Sequence, residues 1–338
     1  MKRFLKRIVL SIVVPLLLLV LVYIITDPFK MVHPFSLDYF DETNRDYIST
    51  ELFLRNNPKY HYNSFIFGSS RCNGINSYHW NHYLSDSSRQ FVFQAWRETV
   101  TGISLKMDFL DKNGNHIDNA LLVFDLPLFT FASTQLSKEV MFVKHYRLTG
   151  QSKLVYHANL FAGFIQKPSQ WIASVKCYLR PKMNVFPADT ISNDWNLPDR
   201  IPNRMVDYSH PMPQDSLYAM SDLSRENFLR KIERKSDADL VETKPLITQA
   251  MIERLNHIKA VFDKHHTNYI ILISPAYCYT NPSINKKDLK AIQSIFGEDR
   301  VYDYSGKNEY TSDYNNFSDA DHFGLNVGWH IIENIYNK

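Results

Sequence analysis

The charge-free run "IVLSIVVPLLLLVLVYIIT" (Ile8–Thr26) constrains this chain more than any other feature. About 20 apolar residues in a helix cross the hydrocarbon core of a bilayer. Lys2, Arg3, Lys6 and Arg7 precede the run, and such basic flanks stay on the cytoplasmic side. A cleaved signal peptide is the competing reading. Its apolar region is shorter, about 7–15 residues, and ends in a small-x-small site. Here bulky Tyr23, Ile24 and Ile25 fill the end of the run. Pro15 lies inside it, which membrane helices tolerate. The expectation is an uncleaved anchor over residues 1–29, single-pass with a cytoplasmic N-terminus. Residues 30–338 would then form an extracytoplasmic domain.

Charge supports that division. The chain of 338 residues carries a formal charge of +3, with 38 Lys and Arg against 35 Asp and Glu. The anchor holds four of the basic residues and one acid, Asp27, so the remainder is neutral. A neutral surface argues against nucleic acid as a partner. With 44% hydrophobic and 22% charged residues, the chain can bury a real core. Cys72, Cys177 and Cys278 show no C-x-x-C spacing, so a structural zinc site is not expected. An odd cysteine count leaves at least one thiol free.

The order of elements reads as α/β. "SFIFG" (Ser64–Gly68), "RQFVFQAW" (Arg89–Trp96), "NALLVFDLP" (Asn119–Pro127), "NYIILISP" (Asn268–Pro275) and "RVYDYS" (Arg300–Ser305) are short apolar runs bounded by turn residues, the pattern of buried strands. Helical patterns alternate with them. One short helix is expected near Ile48–Arg55, others at "INSYHWNHYLSD" and "VTGISLKMDFLDKNG", and one from Pro245, since proline suits a first helical turn. Two more follow at "NKKDLKAIQSIFG" and "NVGWHIIENIYNK". Such alternation predicts a five-stranded, mainly parallel sheet with right-handed crossovers. Residues 128–240 break the pattern and are too long for a simple connection. They read as an insertion or cap, helical around Ser137–Arg147 and Lys153–Phe164.

Two stretches belong together. The first strand ends in Gly68-Ser69-Ser70-Arg71, and the loop before the last helix holds Asp319-Ala320-Asp321-His322. Reactive groups gather at the carboxyl ends of strands in an α/β sheet. An Asp three residues before a His can orient the imidazole for general-base work. Ser70, His322 and Asp319 are the candidate catalytic set. Ser69 is a second candidate nucleophile, and Asp321 a second candidate orienter. Arg71 is a candidate for binding a substrate carboxylate or phosphate, or pairs with a local acid. Cys72 has no such positional support as a nucleophile.

With these motifs the chain resembles the SGNH (GDSL-like) hydrolase superfamily, and within it the membrane-anchored, extracytoplasmic branch that assists O-acylation of cell-envelope polymers, of the D-alanylation type. Ser70 matches the nucleophile, Ser69 replaces the usual Asp before it, and Asp319 and His322 match the Asp and His. The resemblance covers residues 62–127 and 245–336 in element order. It implies a three-layer sandwich and serine-dependent acyl transfer or ester hydrolysis on polysaccharide through an acyl-Ser70. It also implies a membrane-bound O-acyltransferase as partner, and no metal or organic cofactor. The family completes its oxyanion hole with a Gly after strand two and an Asn after strand three. Here Gly102 is the nearest glycine, and Asp125-Leu-Pro stands where the Asn would be. Gln94 or Asn73 could supply a side-chain amide. These departures keep open a second reading, a catalytically weak or inactive glycan-binding or scaffold protein.

Overall fold

The five apolar runs form five strands: β1 (Ser64–Gly68), β2 (Gln90–Gln94), β3 (Asn119–Phe124), β4 (Asn268–Ile273) and β5 (Val301–Asp303). They make one sheet in the order β2-β1-β3-β4-β5, and every pairing is parallel. The computed structural model describes residues 2–33, 44–130, 139–179, 230 and 236–337. Eleven α-helices lie among the described residues: α1 (Lys2–Thr26), α2 (Arg45–Tyr60), α3 (Ser77–Asn81), α4 (Val100–Lys112), α5 (Leu126–Thr130), α6 (Tyr146–Thr149), α7 (Lys153–Ile165), α8 (Pro168–Leu179), α9 (Gln249–His265), α10 (Lys286–Phe296) and α11 (Leu325–Tyr336).

The chain divides into two compact units. The larger holds the described residues of Ser49–Leu136 and Ala188–Lys338, and so the whole sheet. Alternate residues of a strand point to opposite faces, and each face here has its own helical cover. Ile66, Val92, Leu121, Val123, Ile270 and Leu272 pack with Trp80 of α3 and with Ile331, Ile332 and Ile335 of α11. On the other face Phe65, Phe91 and Phe93 gather around Phe53 of α2, which also meets Phe109 of α4. Phe124 meets Phe296 of α10. Each fully buried Phe stabilises the fold by about 1.5–3 kcal/mol, so this aromatic layer fixes the strand faces.

Local chemistry sets most helix ends. Thr99 caps α4 by accepting from Gly102 N at 3.0 Å. The helix expected from Pro245 begins later. Thr248 is the N-cap of α9, its hydroxyl accepting from Met251 N at 3.3 Å. A side-chain cap at Thr248 satisfies an orphan N–H that proline at Pro245 cannot. The expected second helix near residue 77 is only five residues long and is capped by Asn76.

The smaller unit holds the described residues of Met1–Ile48 and Ser137–Pro187. α1 contains a 20-residue stretch, Arg7–Thr26, long and apolar enough to cross a membrane. It ends at Asp27, whose φ is 40°. The Asp27 carboxylate accepts main-chain N–H groups from Met31, Val32 and His33 at 2.9, 3.1 and 3.0 Å. α7 and α8 pack on α1. Tyr23, Phe29, Met31, Tyr47, Tyr156, Leu160 and Phe164 form their shared core. The helix expected at Lys153–Phe164 is therefore present as α7. Around Ser137–Arg147 the described residues form a 3-10 turn (Val140–Phe142) and the start of α6 rather than one helix. α8 had no counterpart in the sequence reading. The rest of the expected insertion, residues 131–138, 180–229 and 231–235, lies outside the described residues.

Candidate active site

β1 ends where only glycine fits. A Cβ on Gly68 would sit 2.5 Å from the Val123 carbonyl oxygen of β3 and 2.9 Å from Cys72 Sγ. The chain then enters a 3-10 turn, Ser70–Gly74, with Ser69 as its N-cap. Cys72 N donates to Ser69 O at 3.0 Å, and Ile75 N to Cys72 O at 3.0 Å. Ser70 thus opens the turn, partly exposed, at the carboxyl end of β1. Strand order reverses between β1 and β3, and this switch point is where open α/β sheets bind ligands.

The loop before α11 brings the second motif there. Phe317 and Phe323 form an antiparallel bridge. Ser318 N donates to His322 O at 2.9 Å, and Gly324 N to Asn316 O at 2.8 Å. Asp319–His322 forms the tip of this narrow loop. Ala320 O is held by Tyr277 N at 3.0 Å and Asn281 Nδ2 at 2.8 Å. His322 Nε2 lies 2.8 Å from Ser70 Oγ. His322 Nδ1 lies 2.9 and 2.8 Å from the two oxygens of Asp319. Asp319 Oδ1 also accepts from the main-chain N–H of Asp321 at 2.8 Å and of His322 at 2.9 Å. Burial alone would raise the Asp319 carboxyl, but the His322 contact and the two N–H groups outweigh it and hold the group below its usual range.

Residues 252 positions apart meet because two glycines let the backbones touch. A Cβ on Gly328, in the first turn of α11, would lie 1.8 Å from the Gly74 carbonyl oxygen. A Cβ on Gly74 would lie 2.4 Å from the Phe323 ring. The turn carrying Ser70 and the loop carrying His322 are thereby packed together.

The neighbouring polar groups take different roles. Ser69 is buried; its hydroxyl donates to Asp125 Oδ2 and accepts from Arg71 N at 3.3 Å. It is held in a network, while Ser70 faces the imidazole. Asp125 follows β3 and caps α5, its Oδ1 accepting from Leu128 N at 2.9 Å. Its other oxygen lies 3.6 Å from Arg71 Nε. The carboxylate is therefore matched by a cation and by donors. Arg71 is buried, donates to Ser274 Oγ at 3.2 Å and approaches Asp321 Oδ1 at 3.4 Å. Asp321 serves Arg71, and Asp319 serves His322.

The oxyanion candidates separate as well. The Gly102 N–H is committed to Thr99 Oγ1 inside α4, so the structure does not bring that donor to Ser70. Gln94 Nε2 donates to Asn73 Oδ1 at 2.9 Å. That bond orients the Asn73 amide with its NH2 end away from Gln94. Residues i and i+3 share a face in a 3-10 turn, so Asn73 stands on the side of the turn that carries Ser70. Burial, then the Asp125 carboxylate, push the Cys72 thiol well above its usual value; it is a poor nucleophile.

Beneath the site lies a pair that the sequence reading missed. Lys106 Nζ meets Glu98 Oε2 at 2.5 Å, both fully buried. The available signal was a lysine on the apolar face of α4, one turn after Ile103. Among the described residues no group of three or more His, Cys, Asp or Glu is placed to hold a metal ion. No family model matches the chain and no curated protein matches it.

Proposed function

We propose that the chain is a serine-dependent acyl-handling enzyme, transferring or hydrolysing an acyl ester, most simply an acetyl group, on cell-envelope polysaccharide. One observation carries the reading: Ser70 Oγ, His322 Nε2 and the Asp319 carboxylate stand in a continuous line of hydrogen-bond contacts at 2.8–2.9 Å. A general base must come within about 2.6–3.2 Å of the proton it takes. Asp319 on Nδ1 keeps the Nδ1–H tautomer, leaving the Nε2 lone pair for the serine proton. Ser70 Oγ attacks the acyl carbonyl as its proton passes to Nε2. The donor's leaving oxygen then takes that proton, and the acyl group stays on Ser70. A sugar hydroxyl or water attacks next, gives its proton to Nε2, and Ser70 recovers it. The Ser70 main-chain N–H and the Asn73 amide are the candidate oxyanion donors; losing one such donor costs about 10²–10³ in rate.

Anchoring at the cell membrane belongs to the same reading, with the catalytic unit outside the cytoplasm. Beyond α1 itself, Leu154 and Val155 of α7 and Ile172 and Leu179 of α8 are exposed, on helices that pack against α1. A bilayer face suits such a surface. A membrane-bound O-acyltransferase would deliver the acyl group there.

The second reading, a glycan-binding partner with little catalysis, is favoured by one observation. Gly102 N–H is spent on its helix cap, which leaves the oxyanion site with fewer donors. A fluorophosphonate probe on the full chain in detergent separates the two. Labelling mapped to Ser70, absent in His322→Ala, supports the enzyme. A folded protein that never labels at Ser70 supports the binding protein.

A further inference from the structure

Beside the triad lies a cleft of about 470 Å³, within the size range of small-ligand sites. Arg71 and Asp321, the residues next to Ser70 and His322 in the chain, are among its lining residues. Building on the acyl-transfer reading, we propose that this cleft is the acceptor subsite and that it takes a neutral sugar through a pair of adjacent hydroxyls, not a uronate or phosphate.

Charge matching carries the first part. The Arg71 guanidinium is matched behind by buried Asp125 and in front by Asp321. Lys244, exposed at the cleft, brings the balance among these described residues to two cations against two carboxylates. An incoming anion would meet Asp321 at the same guanidinium, 3.4 Å away, and like charges so close repel. A diol meets no such conflict. Arg71 donates to one hydroxyl oxygen, and Asp321, half-exposed on its outer side, accepts from the next.

An independent observation carries the second part. Thr243 lines the cleft, and its Oγ1 is buried with no hydrogen-bond partner among the described residues. A buried polar group left unpaired is costly, and rotation about χ1 would turn this hydroxyl outward to meet a ligand hydroxyl. The Ser274 hydroxyl accepts from Arg71 at 3.2 Å and keeps its own proton to donate. Leu126, Pro127 and Leu246 supply an apolar wall for the C–H face of a sugar ring. In the transfer step the sugar oxygen attacks the acyl-Ser70 carbonyl, its proton goes to His322 Nε2, and Ser70 Oγ leaves and regains that proton. The new bond is an ester on the sugar.

The test uses the full-length Ser70→Ala chain in detergent, titrated with xylotriose, cellotriose, mannotriose and galacturonate trimer by saturation-transfer NMR. We expect at least one neutral trisaccharide to saturate, with affinity at least 10-fold better than the uronate. Asp321→Ala should weaken it about 10-fold, and Thr243→Val about 5-fold with no drop in melting temperature. Tighter binding of the uronate, no binding of any neutral sugar, or an unchanged affinity in Thr243→Val overturns the proposal. Wild-type acylation by p-nitrophenyl acetate is measured in parallel. Acyl-Ser70 without sugar binding removes the subsite and leaves the nucleophile; sugar binding without acyl-Ser70 does the reverse.

Discussion

Gly328→Ala puts two physical arguments against each other. Helix propensity favours the alanine by about 0.8–1.0 kcal/mol. Packing opposes it, because the new Cβ would lie 1.8 Å from the Gly74 carbonyl, where ordinary contact begins near 3.4 Å. The atom opposite is backbone and cannot rotate away. The turn bearing Ser70 and the helix following His322 must move apart by more than an ångström. Overpacking of this kind costs about 1–3 kcal/mol, so packing wins and the protein is destabilised. A misplacement of about 1 Å between reacting groups can cost about 10²-fold in rate, and acylation of Ser70 should fall by that order. Gly163→Ala is the control, since nothing lies within 4 Å of its added Cβ on α7; it should gain about 0.5–1 kcal/mol. Thermal melting and acylation rate read both variants. A Gly328→Ala protein that melts higher than wild type and acylates at the wild-type rate would mean that the Gly74–Gly328 contact does not hold the two segments together.

Asp319→Asn should keep the fold and lower acylation by about 10³–10⁴-fold through loss of the correct tautomer, measured as kcat with p-nitrophenyl acetate. Lys106→Met breaks the buried Lys106–Glu98 pair and should cost about 3–5 kcal/mol in denaturant unfolding; adding Glu98→Gln should recover most of that loss. Burial against Trp329 lowers His79 to about 4, with Glu333 only partly offsetting the effect. A depressed histidine stays neutral in the fold while the unfolded chain takes up a proton near pH 6.5. Stability should therefore fall by about 2–3 kcal/mol between pH 6.5 and pH 4, and His79→Phe should flatten that part of the urea-unfolding profile.

The strands were legible because parallel strands are buried on both faces and read as unbroken apolar runs. β3 and β4 are the plainest cases. The Ser70 and Asp319–His322 segments were legible as chemistry, since both sit at strand ends or helix entries. What joins them was not. The Gly74–Gly328 contact is a property of two backbones 254 residues apart, and neither glycine has a local signature. In the sequence Asp125 stood out only as an acid in the place of the expected Asn. Its actual partners are Ser69 and Arg71, from the turn after β1 and distant in the chain, and Leu128 N, three residues on in α5. The start of α9 was misread because Pro245 is a strong local signal, while the Thr248 cap shows only when the helix is seen to begin there. α8 was missed because Pro168 and the polar residues around it resemble a loop. Its packing on α1, a tertiary contact, overrides that preference.

The most direct measurement is the intact mass of the full-length chain, in detergent, after brief exposure to p-nitrophenyl acetate. A nucleophilic Ser70 gives a transient gain of one acetyl group on the wild type, mapped to Ser70 and absent from Ser70→Ala. An adduct that persists unchanged in Ser70→Ala, or none on a folded wild type either in detergent or in native membranes, would contradict it.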